Sequence, residues 1–335
     1  MDLLRGTAVV LVVVYHAVVL TEMDGVTAPG WVEAANAYLA PFRIPLLVIL
    51  SGMLLGRALE KPPSRYFSGK LSNIGWPYLV WTAVFAVVTW PVASPFLYAR
   101  GGTYLWFLLF LLVFFAAAWM LRALPASWVV AVSFALAVLA PTGSKYTERL
   151  VYLFALFMLG HLVRSRLAVW RWLTRSRWVV PVGLLLVVVQ WVVGSTVVDA
   201  ADPTSGYGPP TALATLGGLM VGVQLAPVVA RMTWTRPLRH VGEASLVYYV
   251  SHFPVATVVI GLLVAAGVRN WAVLALVGAV VALGAGAVLA RCRATAPVQW
   301  LFALPGLVTW ARRGASRRTA VGSSGDRDPS GVARR

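Results

Sequence analysis

Apolar segments long enough to cross a bilayer recur from the first residues to about residue 310, and this recurrence limits the possible folds more than any motif does. A helix crosses the hydrocarbon core in about 20 residues. On that measure the sequence reads as about ten spans, near 3–21, 37–57, 71–91, 103–121, 127–141, 148–164, 178–197, 211–231, 244–266 and 271–291, the fifth being short. With 60% of its residues hydrophobic and 12% charged, the chain carries too much apolar surface for a water-soluble domain of its length. The expected fold is an all-α polytopic bundle over residues 1–310, with a disordered basic tail over 311–335. Because the opening run is the first of a series and lacks a small-residue cleavage site, it reads as a span and not as a signal peptide.

The net charge of +17 is a topology signal rather than a nucleic-acid footprint. If the N-terminus is cytoplasmic, the inner segments hold Arg5, then Arg57, Lys61, Arg65 and Lys70, then Arg122, Arg164 to Arg177, Arg231 to Arg239 and the tail. The outer side keeps only Arg100, Lys145, Arg149 and Arg269, and its loops hold Glu22, Asp24, Glu33, Asp199 and Asp202. That asymmetry predicts an even number of spans with both termini cytoplasmic. The three lysines, Lys61, Lys70 and Lys145, read as loop residues, which argues against a Schiff-base protein. The single cysteine, Cys292, rules out an internal disulfide, and no Cys/His grouping has metal-site spacing. There is no fixed-period repeat and no matching pair of broken helices in the two halves, which weighs against many secondary transporters.

Ionisable groups at membrane depth are costly and therefore functional candidates. At about 1.5 Å per residue, His16 lies about 20 Å up the first span, Arg43 about 21 Å up the second and His252 about 18 Å up the ninth, with Gln190 at a similar height. Four helices thus place polar groups in one layer. Arg5 and His16, eleven residues apart, project from one face of the first helix with about 16 Å between them along the axis. One sits at the cytoplasmic mouth and the other deep inside, a pairing suited to an elongated ligand with an anionic head. Bland alternatives exist. Arg5 also reads as a topology anchor beside Asp2, and His252 as the partner of a backbone carbonyl freed by Pro254. His161 and His240 read as interfacial residues, and the tryptophans at span ends as an aromatic belt.

Several stretches together resemble the acyltransferase-3 family of integral-membrane O-acyltransferases. The opening DLLRGTAVVLVVVYH resembles that family's first helix, whose hallmark is an arginine and a histidine separated by ten residues, here Arg5 and His16. FRIPLLVILSGMLLGRAL is similar to its second helix, with Pro45, Ser51 and Gly52, and is followed by a basic loop leading into a Pro-Tyr start. TYLWFLLFLL resembles its Leu-Trp-Phe helix, with Trp106 and Phe107, and HVGEASLVYYVSHFPV its late segment, with Gly242, Ser245, Tyr248 and His252. Leu46, Leu47 and Val48 replace phenylalanines common in the family, and Tyr104 stands where a His or Pro often precedes Leu-Trp-Phe.

The resemblance implies transfer of an acyl group, expected to be acetyl, from acyl-CoA on the cytoplasmic side to a hydroxyl of a carbohydrate, cell-envelope glycan or secondary metabolite. Under it, His16 is the expected general base, Arg43 the group that stabilises the thioester oxyanion, and Arg5 the grip on the donor's phosphates. Tyr104, Trp106, Gln190, Glu243, Tyr248 and His252 are expected to line the pocket, with no metal, no nucleic-acid partner, and a place in a bacterial cytoplasmic membrane among its lipids. A covalent acyl-enzyme through Ser51, Ser245 or Cys292 is the less favoured route. The alternative from another class is a transporter or flippase of a sugar or lipid-linked precursor.

Overall fold

The computed structural model describes residues 1–89, 103–139, 144–194 and 207–304, and the regular structure among these is all helical, with no strands. The expected tail, 311–335, lies outside the described residues, as do the end of the third expected span and Arg100, Asp199 and Asp202. The principal helices are α1 (Asp2–Met23), α2 (Gly30–Leu39), α3 (Ile44–Gly52), α4 (Leu55–Leu59), α5 (Pro63–Lys70), α6 (Trp76–Val88), α7 (Trp106–Met120) and α8 (Ala126–Leu139). They continue as α9 (Lys145–Ser165), α10 (Leu167–Arg175), α11 (Val179–Gly194), α12 (Ala212–Val229), α13 (Arg236–Glu243), α14 (Ser245–Ala265) and α15 (Trp271–Cys292). Helices suit this sequence because in hydrocarbon each backbone N–H and C=O must find its partner within the same segment.

Among the described residues, seven helical stretches are long and apolar enough to cross a membrane, and the pair α10 and α11, bent by 87°, would make eight. The fourth and fifth expected spans fall on α7 and α8, which are apolar but shorter than a full crossing. The chain is thus a multi-pass, all-helical membrane protein.

α1 is central, packed against α3, α13, α14 and α15. Its N-terminal end crosses α13 at two glycines: a Cβ on Gly6 would strike the Leu238 carbonyl, and one on Gly242 would strike the Asp2 carbonyl. Only glycine allows that approach, the small-residue device by which membrane helices come close. Gly52 and Gly160 do the same for α3 against α9, at the Phe157 and Ile49 carbonyls, so Gly52 serves packing.

The second span, expected to be continuous, is broken. Pro41 has no N–H to give the carbonyl of Ala37 four residues back. Ala40 therefore turns its N–H to Ala37, a tight turn runs over Ala40–Phe42, and α3 starts afresh after Arg43 at φ −93° and ψ −101°. The polar groups released by the break are taken up locally. Arg43 Nη2 donates to the Asn36 carbonyl at 2.8 Å, and the Thr215 hydroxyl donates to the Pro41 carbonyl at 3.4 Å. Between α5 and α6, residues Leu71–Gly75 form a π turn, a geometry frequent at functional sites.

Candidate functional site

His16 on α1 and His252 on α14 meet inside the bundle, with His16 Nδ1 3.0 Å from His252 Nε2 and ring centroids 5.0 Å apart. The other nitrogen of His252, Nδ1, faces its own helix, 2.6 Å from the Tyr249 carbonyl and 3.3 Å from that of Tyr248. His252 is 1% exposed, whereas His16 as a residue is half-buried.

The bland reading of His252 is wrong in its detail. Pro254 cannot donate to the carbonyl four residues back, and that carbonyl belongs to Val250. It is the Tyr104 hydroxyl that satisfies it, donating at 2.5 Å. Tyr249 returns the favour by donating its hydroxyl to the Tyr104 carbonyl at 2.6 Å, and the Tyr104 ring stacks on Phe253 at 4.8 Å and 10°. With that carbonyl already taken, His252 is free for His16.

Below the pair, toward the end holding α13, lies a cavity of about 250 Å³. Arg5, Ser51, Lys70 and Asn73 supply its polar groups, and its lining reaches Tyr249, whose ring lies 5.8 Å from that of His252. Arg5 Nη2 donates to the Leu50 carbonyl at 3.2 Å, which fixes its side chain at the wall rather than in the interface as a mere anchor. Lys70 was expected in a loop. Instead it closes α5, lines this cavity and holds its Nζ 3.3 Å from the centre of the Phe115 ring. Lys145, also expected in a loop, opens α9. Sequence reasoning missed Lys70 and Asn73; the usable signal was the proline at 77, close after a basic segment, which favours an irregular turn.

On the far side of the pair, the Arg43 guanidinium lies over the Tyr15 ring at 4.0 Å and acts electrostatically on His16. It is 1% exposed, and its Nε and Nη1 have no hydrogen-bond partner. Trp106 belongs to that side as well: Arg149 sits over it at 5.1 Å, and Tyr207 packs against it at 5.9 Å.

Three expected pocket residues lie elsewhere. Glu243 is exposed and 4.0 Å from His240. Tyr248 packs on the bare backbone of Gly286, contributing only its carbonyl to His252. Gln190 is buried on α11, whose main partner is α12. Ser51 donates its hydroxyl to the Leu47 carbonyl at 2.7 Å, so it is engaged with its own helix. A larger groove of about 400 Å³, between α7, α8 and α9, offers one hydroxyl, Ser133, and no titratable group, so it carries no chemistry. No group of three or more His, Cys, Asp or Glu able to hold a metal occurs among the described residues.

The paired histidines and the nearby cavity lined by Arg5 are positioned by segments from both ends of the chain, and the match to known proteins spans the same range. The profile of the Acyl_transf_3 family, described as an acyltransferase domain, matches residues 1–291. The chain belongs to the acyltransferase-3 family. Searches of curated proteins and of solved structures each gave no significant match. Membership makes the chain a membrane-bound acyltransferase, and it covers every element that builds the site, from α1 to the last turn of α15. In this acyltransferase, then, two imidazoles meet inside the bundle, and the cavity beneath them is lined by Arg5 and Lys70.

Proposed function

We propose that the chain transfers an acyl group from acyl-CoA to a hydroxyl-bearing acceptor, with His16 as general base. The observation that carries this reading is the histidine pair standing above a cavity lined by Arg5 and Lys70. An alcohol attacks a thioester only as a base removes its proton, and imidazole is suited to that near neutral pH. That His16 is the less buried member of the pair supports giving it this role. Arg5 and Lys70 suit phosphates, one as a planar fork and the other as a point charge. A cavity of about 250 Å³ suits a pantetheine arm, leaving the nucleotide at the cytoplasmic mouth. The distance from Arg5 to His16, about 16 Å along α1, fits that arm's reach. Arg43 supplies positive potential on the other side of His16, where the thioester oxyanion develops.

The basic inner segments support a cytoplasmic N-terminus and a bacterial cytoplasmic membrane as the setting. Acetyl as the acyl group and a carbohydrate, envelope glycan or secondary metabolite as acceptor follow from family resemblance. The break at Arg43 is the kind of interrupted helix that transporters use around a midplane site, so moving a sugar or lipid-linked precursor is the second reading.

Purified protein in vesicles, given acetyl-CoA and a panel of hydroxyl acceptors, should release free coenzyme A thiol, and His16→Ala should release none above background. Redistribution of acceptor across the vesicle without thiol release would replace the transferase by the transporter.

A further inference from the structure

We propose that His252 is a positioning residue that holds His16 in the Nδ1–H tautomer, so that the atom which takes the acceptor's proton is Nε2 of His16. The proposal rests on His16 being the base.

The argument follows the protons along the contact. A backbone carbonyl only accepts, so the nitrogen facing the Tyr249 and Tyr248 carbonyls, His252 Nδ1, carries the ring's proton. A neutral imidazole has one N–H, which leaves His252 Nε2 as a lone pair. That lone pair lies 3.0 Å from His16 Nδ1, and two lone pairs cannot bond, so His16 Nδ1 donates to it, with the Val12 carbonyl one turn back on α1 as a further acceptor near the ring. The remaining nitrogen of His16, Nε2, is then the acceptor. Which ring nitrogen is basic is set by what the other one bonds, and here a second histidine does the work often done by a carboxylate.

The packing is consistent with a fixed reference rather than a second base. His252 is 1% exposed and edge-on to Tyr104 at 5.6 Å and 87°, so it cannot turn toward a substrate without moving Tyr104. The only carbonyl that Pro254 frees is already served by Tyr104, so His252 is not needed to repair its helix.

In the reaction the acceptor oxygen forms a bond to the thioester carbonyl carbon while its proton passes to His16 Nε2. The carbon–sulfur bond then breaks, and the departing sulfur takes the proton back from His16 Nε2. His16 Nδ1–H stays donated to His252 throughout. That bond becomes charge-assisted, and so stronger, while His16 is an imidazolium.

The test is nitrogen NMR on the full chain in detergent micelles with 15N-labelled histidine. Its four histidines are assigned by single His→Gln substitutions. In the wild type, His16 and His252 should both report Nδ1–H. In His252→Ala, His16 should move to the Nε2–H form that free histidine prefers. In His252→Gln, whose amide oxygen can accept from His16, Nδ1–H should persist. Thiol release should fall about 100-fold in kcat for His252→Ala with donor KM unchanged, and recover in part in His252→Gln. His16 as Nε2–H in the wild type overturns the proposal, as does a His16 tautomer unmoved by His252→Ala or full turnover in that variant. If the wild type releases no thiol at all, the transferase reading fails, while the spectra still decide the tautomer lock. If His252→Ala does not fold, His252→Gln decides: loss of Nδ1–H there overturns the lock.

Discussion

Tyr104→Phe removes one oxygen and nearly nothing else, which makes its cost calculable. The ring's stack on Phe253 and its edge contact with Phe85 at 5.3 Å survive the change. What is lost is the hydroxyl that donates to the Val250 carbonyl, on a residue with 0% exposure. Leaving a buried acceptor unpaired costs about 1–3 kcal/mol in soluble proteins, and interhelical hydrogen bonds in membranes average about 0.6 kcal/mol with a maximum near 1.7. A loss of about 1 kcal/mol is therefore expected. The cause is specific: Val250 needs Tyr104 only because residue 254 is proline. In a Pro254→Ala background the new N–H can serve Val250, and Tyr104→Phe should then cost at most a few tenths of a kcal/mol. The assay is a double-mutant cycle read by reversible SDS unfolding in mixed micelles. A coupling of about 0.5–1 kcal/mol is expected, and additivity within about 0.3 kcal/mol would refute the reasoning.

Other consequences are more direct. Gly6→Ala drives a Cβ into the Leu238 carbonyl and should destabilise the fold by about 1–3 kcal/mol in the same assay, whereas Gly261→Ala, with open space around it, should be nearly neutral. Arg5→Met and Lys70→Met should each raise the KM for acyl-CoA more than they lower kcat, and the wild-type KM should rise with salt as these charges are screened. Ser51→Ala should leave thiol release unchanged, since its hydroxyl is occupied by Leu47; trapping of an acylated Ser51 would contradict this.

The sequence announced the helices and much of the site because both announce themselves by cost. Runs of Val and Leu can only be buried in lipid or protein, and His16, Arg43 and His252 are too costly at that depth to be idle. Depth arithmetic placed the two histidines level, and they touch. It could not show azimuth, and Gln190, at the same height, is buried on a helix that packs mainly on α12. The break at Pro41 was missed because hydropathy averages over a turn of three residues. Lys70 was misplaced for the opposite reason: its charge marks a loop by composition, yet its ammonium lies over the face of the Phe115 ring. The hydroxyl of Tyr104 was invisible, since its use depends on a proline 150 residues away.

The crossing of α1 and α13 has a reach beyond its own neighbourhood. His16 stands ten residues after Gly6, and His252 ten after Gly242. Two arms of equal length, about 15 Å each, leave one pivot and run the same way through the bundle, the second with a joint at Ala244. Inserting a residue in either arm would swing its imidazole by about 100° and part the rings. The meeting of the two imidazoles is thus calibrated by two missing side chains about 15 Å away, and damage there would pass in an assay for an injury to the histidines themselves.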